Sequence, residues 1–228
     1  MAYLEGELGG NAVQPCNYTF PATNPATFLN FASRIEGVGV SAYLGGAGLL
    51  QDKESVSTAG SVLAVEARHV AYLRYARSFL TNGGDIPTTE KAPFPSPFDI
   101  PITPSEAFTI ASRYIVSCPE GNAAKLSGIT QFPLLNLLTT ESIVTGSTIE
   151  VRPQQGFRAQ GQSLYAAFPT FNGTIIQPVT VSSNGYSTTV PAGLTGQAYI
   201  VLTNSASTVD DSTIVAGPAL LQVNNPVV

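Results

Sequence analysis

The chain has 228 residues, 15 acidic side chains against 10 Lys and Arg, a net charge of −5, 43% hydrophobic residues and 11% charged ones. That length and apolar content suffice for two modest cores and exclude an intrinsically disordered chain. So few cations, with no basic stretch interleaved with aromatics and no basic amphipathic helix, exclude nucleic acid as a partner.

In chain order, Phe20-Pro21 and Asn24-Pro25 are the first breakers, with Asn24 a helix cap and Pro25 the first helical residue. From Phe28 to Leu50 the sequence reads FLNFASRIEGVGVSAYLGGAGLL, apolar or small on nearly every face, with Arg34 and Glu36 its only charges. A helix apolar all round is a buried helix. It is long enough to mimic a membrane span, but Arg34, Glu36 and the glycines fit a bundle better, so no membrane span is expected. Glu36 shares a stripe with Leu29, Ala32, Gly39, Val40 and Tyr43. A buried carboxylate needs a partner, a proton or a metal. A salt bridge to Arg34, Arg68 or Arg74 would serve; so would a metal held with ligands from a neighbouring helix. Gly37, Gly39, Gly45, Gly46 and Gly48 lower helix propensity and point to close approach of neighbouring elements.

A polar loop over 51–57 precedes a second helix, which should end near Thr81-Asn82-Gly83-Gly84. Within it VLAVEARHVAYL, residues 62–73, places Val62, Leu63, Glu66, His69, Val70 and Leu73 on one stripe. His69 is the chain's single histidine. A Glu-x-x-His pair turned into a helical core is half of the ligand set of carboxylate-bridged di-iron or di-manganese bundles. The plainer alternatives are a solvated pair or a satisfied core histidine.

Residues 85–103, DIPTTEKAPFPSPFDIPIT, hold too much proline for a helix. They predict an extended strap over the bundle with Phe94, Phe98 and Ile100 inserted. Thr103-Pro104-Ser105-Glu106 then opens a short helix to about Val116, with Thr103 and Glu106 as a capping box.

From about Leu138 the texture changes to STIEVRP, SLYAAFPT, TIIQPVTVSS, YSTTVP, QAYIVLTNS and PALLQVNN, short β-prone runs separated by Gly, Pro, Asn and Ser. That spacing predicts an antiparallel β-sandwich. With no His, Cys or Met in this part, a cupredoxin-type copper site is excluded. Asp210 and Asp211 read as a solvated turn rather than a calcium cage, which needs six or more oxygens. Tyr165, Phe168 and Phe171 read first as core and second as a sugar platform. No G-x-S-x-G elbow, phosphate loop or strand-borne G-x-G-x-x-G is present.

The segments AVQPCNYTFP (12–21), EGVGVSAYLGGA (36–47), STAGSVLAVEARHVAYLR (57–74) and SRYIVSCPEGN (112–122) occur in this order. Together they resemble the ferritin-like domain of secreted fungal stress-response proteins, relatives of the plant desiccation-related proteins, over about residues 2 to 140. The resemblance implies a four-helix ferritin-like bundle. Glu36 would be the lone Glu of its third helix, and Glu66 with His69 the Glu-x-x-His of its fourth, holding iron or manganese. The family's first two helices have no counterpart here: MAYLEGEL reads as the last turns of the second, stopped by Gly9, Gly10 and Asn11. Three replacements are open: a homodimer completing the bundle, a C-terminal region folded over the exposed face, or a truncated gene product. In a two-fold pair, Glu36, Glu66 and His69 of both copies would give four carboxylates and two histidines.

Cys16 and Cys118 both lie in those shared segments. They read as a structural disulfide rather than a redox or metal-binding pair. Closing a loop of about a hundred residues, it would contribute roughly 4 to 5 kcal/mol in the chain-entropy model and imply an oxidising compartment. Asn17-Tyr18-Thr19 and Asn172-Gly173-Thr174 are acceptor sequons, in keeping with secretion.

The expected fold is therefore α+β: a ferritin-like helical hairpin with strap and short helix over residues 1–138, then a β-sandwich over 139–228. The leading functional expectation is a secreted, non-catalytic, stress-associated or structural protein with a vestigial or dimer-completed site at Glu36, Glu66 and His69. The alternatives are a di-iron or di-manganese protein with oxidase-type chemistry, and an extracellular module binding a glycan or cell-surface partner through the sandwich.

Overall fold

A computed structural model describes residues 6–82, 93–155, 157, 161 and 163–224. Helix α1 spans Pro25–Ala47 and α2 spans Lys53–Asn82. Asn24 caps α1 through a capping box in which its side chain accepts from the Thr27 amide at 2.9 Å and Thr27 Oγ1 accepts from the Asn24 amide at 3.1 Å. Before the hairpin, Gly9–Asn11 form a single 3-10 turn that ends in an extended Ala12. Residues 1–5 and 83–92 lie outside the described residues, and with them much of the reading of MAYLEGEL and of the strap.

The strap reading is corrected where it is visible. Phe94 and Phe98 are exposed, not inserted, and Ile102 rather than either phenylalanine is the buried apolar residue of the segment. Ile100 does pack on the core. Polyproline spacing gives no face to the chain, so which side chains turn inward is decided by what they meet. What they meet is α1: the Ile102 amide donates to the Ser41 carbonyl at 3.2 Å, and a Cβ on Gly45 would lie 1.9 Å from the Ile102 carbonyl oxygen. Gly45 is therefore the gap through which the strap crosses the helix.

Helix α3, Pro104–Ser112, carries the expected Thr103–Glu106 capping box but ends short of Val116, because Ile115–Ser117 forms strand β2. Strand β2 pairs antiparallel with β1, Asn17–Tyr18, beside the Cys16–Cys118 disulfide, whose Cα atoms are 4.2 Å apart. A single turn, α4 (Asn122–Lys125), follows, and Asn122 ties back to the backbone of Gln14 through two hydrogen bonds.

Eight further strands make two antiparallel sheets. One has the order β3 (Leu135–Leu137), β4 (Thr148–Pro153), β8 (Tyr186–Thr189), β7 (Thr180–Val181). The other runs β10 (Ile214–Val223), β9 (Gly196–Thr203), β5 (Tyr165–Thr170), β6 (Gly173–Pro178). Leu135, Ile149 and Val151 of the first meet Phe168, Ala198, Ile200, Leu202 and Leu221 of the second in one core. The fold is thus α+β, a helical hairpin followed by antiparallel β-sheets.

Strand β9 explains how the two parts join. Alternate residues of a strand face opposite sides, so Ala198, Ile200 and Leu202 enter the shared core while Tyr199 and Val201 face away from it. Tyr199 packs with Val38 of α1, Ile102 of the strap and Ile110 of α3. Burial on both faces is why this strand reads as a nearly unbroken apolar run. The Tyr199 hydroxyl donates to Ser41 Oγ at 2.9 Å and accepts from Gln197 Nε2 at 2.8 Å, while burial pushes its pKa up to about 12. Gln197 also donates to the Arg34 carbonyl, and a Cβ on Gly37 would run into the Gln197 amide. The C-terminal sheet thus packs on the face of α1 that carries Gly37 and Ser41.

Candidate metal centre

Helix α1 offers Glu36 and α2 offers Glu66 and His69, from positions three residues apart that fall on one side of the helix. The chain is folded so that one ligand atom from each of these three side chains lies within 4.8 Å of the others. His69 Nδ1 is 3.1 Å from Glu36 Oε2, so Glu36 is paired with the imidazole and not, among the described residues, with an arginine. Glu66 reaches across the hairpin over Gly39, where a Cβ would sit 2.9 Å from Glu66 Oε2. Of the five glycines expected to mark close approach, Gly37, Gly39 and Gly45 do so; Gly46 and Gly48 face open space.

Burial first, and then a hydrogen bond and charge from Glu36, raise the Glu66 carboxyl to about 7. Two facing carboxyls that cannot both shed their protons cheaply hold one between them. Tyr43 stands one turn beyond Gly39. Partial burial, and secondarily the Glu66 charge, push its hydroxyl up as well.

The centre is open to one side. The side chains of Glu36 and His69 keep 30% and 55% of their exposure. A shallow cleft of about 490 Å³ lies beside the carboxylates, walled by Ala107, Phe108 and Ala111 of α3. That wall was not anticipated from the sequence. Its only local signal is the small-residue spacing of Ala107 and Ala111, which is common on any packed helix.

Two carboxylate oxygens and an imidazole nitrogen form a donor set suited to iron(II), manganese(II) or zinc. Three protein ligands around one ion leave positions for water or substrate. Two ions bridged in a bundle take a Glu from each of two helices and a Glu-x-x-His from each of two more. The described residues of this chain supply half of that set, so the donors fit one ion and fall short of two.

The remaining sequence candidates lie elsewhere. Cys16 and Cys118 are bonded to each other. Asn17 is in β1 with its amide donated to Ser117 Oγ, and Asn172 stands at the turn between β5 and β6. Tyr165, Phe168 and Phe171 form no joint platform: Phe168 is fully buried, while Phe171 is exposed and stacks on Phe98. Asp210 caps its own turn through Ser212. Asp211 instead accepts hydrogen bonds from Thr103 and Ser105, clamping the start of α3 to the β9–β10 loop. That structural role was missed, since the partners lie over a hundred residues apart.

Residues 1–78 match the family model of a ferritin-like domain, which covers both candidate carboxylates and the histidine. No curated protein matches the chain. No helix among the described residues is long and apolar enough to cross a membrane.

Proposed function

We propose that this is an extracellular ferritin-like protein that holds a single divalent transition metal, iron or manganese, at Glu36, Glu66 and His69, in a structural or stress-protective role rather than as an oxidase. The observation that carries the reading is the convergence of three complementary donors from two helices, with ligand atoms within 4.8 Å of one another. Chance clusters of acidic side chains are common, but an imidazole grouped with two carboxyls is a donor composition that binds such ions. A bound dication would supply the charge that lets both carboxyls ionise, and Lewis acidity at its open positions. The chain's own residues orient the donors: Gly39 leaves room for Glu66, and Glu36 fixes one nitrogen of His69. The disulfide supports an oxidising, extracellular setting, and the ferritin-like match supports the helical part of the resemblance.

A second reading rests on the same openness. Since Glu36 and His69 remain partly exposed, two chains meeting at this face would bring together four carboxylates and two imidazoles, enough for a two-metal centre.

Calorimetric titration of the apoprotein with iron(II) and manganese(II), repeated on His69→Ala, tests the proposal. We expect one site per chain and at least about a tenfold loss of affinity in the variant, with the fold intact because His69 is half exposed. Equal binding by the two proteins would refute the assignment.

A further inference from the structure

The turn between β5 and β6 consists of Phe171 and Asn172, flanked by the paired residues Thr170 and Gly173. A two-residue hairpin loop stands clear of the sheet, and Phe171, Asn172, Gly173 and Thr174 are all exposed. The turn is built by Thr170, whose hydroxyl donates to the Gly173 carbonyl and accepts from the Asn172 amide. The Asn172 carboxamide itself makes no hydrogen bond among the described residues. Next to it, Phe171 lies stacked on Phe98, with ring centroids 4.2 Å apart and planes 17° from parallel. Both rings remain more than half exposed, at 57% and 54%. The two stacked phenylalanines, one at the loop tip and one in the strap, form an apolar surface that nothing among the described residues covers, and the sequon asparagine adjoins it.

We infer that Asn172 carries an N-linked glycan whose first sugar packs on the Phe171–Phe98 pair. The apolar C–H face of a pyranose ring is complementary to the electron-rich face of an aromatic ring. Tethering through the neighbouring residue makes that contact intramolecular, so its ordering cost is small. The modification transfers an oligosaccharide from a lipid-diphosphate donor. The sugar C1–O bond to the diphosphate breaks, a C1–N bond to Asn172 Nδ2 forms, and the nitrogen gives up one proton as the lipid diphosphate leaves. Asn17 offers a poorer setting. Its Nδ2 donates to Ser117 Oγ at 3.0 Å, and the nearby Phe20 ring already packs against Phe31 and Tyr114.

This inference rests on the extracellular reading above. The test is expression of the full chain through a eukaryotic secretory pathway, with peptide mass mapping of both sequons and thermal melts before and after enzymatic removal of the glycan. We expect Asn172 to be occupied in most molecules, Thr174→Ala to abolish the modification, and deglycosylation to lower the melting temperature by about 2 to 4 °C. In Phe171→Ser, which keeps the sequon, that drop should largely vanish. A secreted chain with its disulfide closed and Asn172 bare would overturn the inference alone. So would an equal drop in the Phe171 variant. A chain retained in the cell with Cys16 and Cys118 reduced would overturn both this inference and the extracellular reading.

Discussion

Gly39 occupies the point where α1 gives way to the carboxylate of Glu66. Replacing it with alanine puts two effects in opposition. Helix propensity favours alanine by about 1 kcal/mol, while the added Cβ meets only the flexible end of a side chain, which can swing aside at small cost. Gly39→Ala should therefore leave the melting temperature unchanged or raise it by a few degrees, and weaken metal binding by about tenfold or more because Glu66 moves. A titration and a thermal melt on the same sample check both halves. Glu66 also sets a pH dependence. Its ordinary value is 4.5 and its folded value is about 7, so between these the folded state keeps a proton that the unfolded state has lost. This contribution is fully present below pH 4.5, fades as pH rises toward 7 and is absent above. Melting temperatures of the apoprotein should accordingly fall over that window, with Glu66→Gln removing the slope. Metal binding should tighten over the same window, since the shared proton must leave.

At the scale of elements, the helices were legible for reasons the structure bears out. Asn24-Pro25 and Thr103-Pro104 state their own starts, and both act as full capping boxes. The strap was not legible. Its prolines exclude a helix but do not say which residue turns inward, and the choice of Ile102 over Phe94 is made by the notch at Gly45. Alanine at Gly45 meets backbone, which cannot swing aside. Gly45→Ala should destabilise the protein by about 1 to 3 kcal/mol in spite of its better helix propensity, as measured by denaturant midpoint at unchanged slope. The contrast with Gly39 is diagnostic: the same substitution in the same helix, opposite in its effect on stability.

Across the whole molecule, the sheets and helices are held together by residues whose partners are far away in sequence. Tyr199 bonds to Ser41, Arg74 to Gln222, and Asp211 to Thr103 and Ser105. No local period announces such pairs, so the joint between hairpin and sheet could be named only as one of three possibilities. The candidate ligands, by contrast, were visible in the sequence because a Glu-x-x-His in an apolar stripe is a local pattern, and Glu36 was an isolated carboxylate in a helix otherwise poor in charge. What the sequence left open was the company they keep. The C-terminal sheet takes the hairpin face bearing Gly37 and Ser41, and leaves Glu36 and His69 partly in solvent. The most direct measurement is elemental analysis of the protein reconstituted with iron(II) or manganese(II), taken across its size-exclusion peak with light scattering. The account predicts about one ion per chain, lost in His69→Ala, with the molar mass stating whether the ions sit in single chains or in a two-fold pair. A folded protein that elutes without metal, or a His69→Ala variant that retains it, would contradict the account.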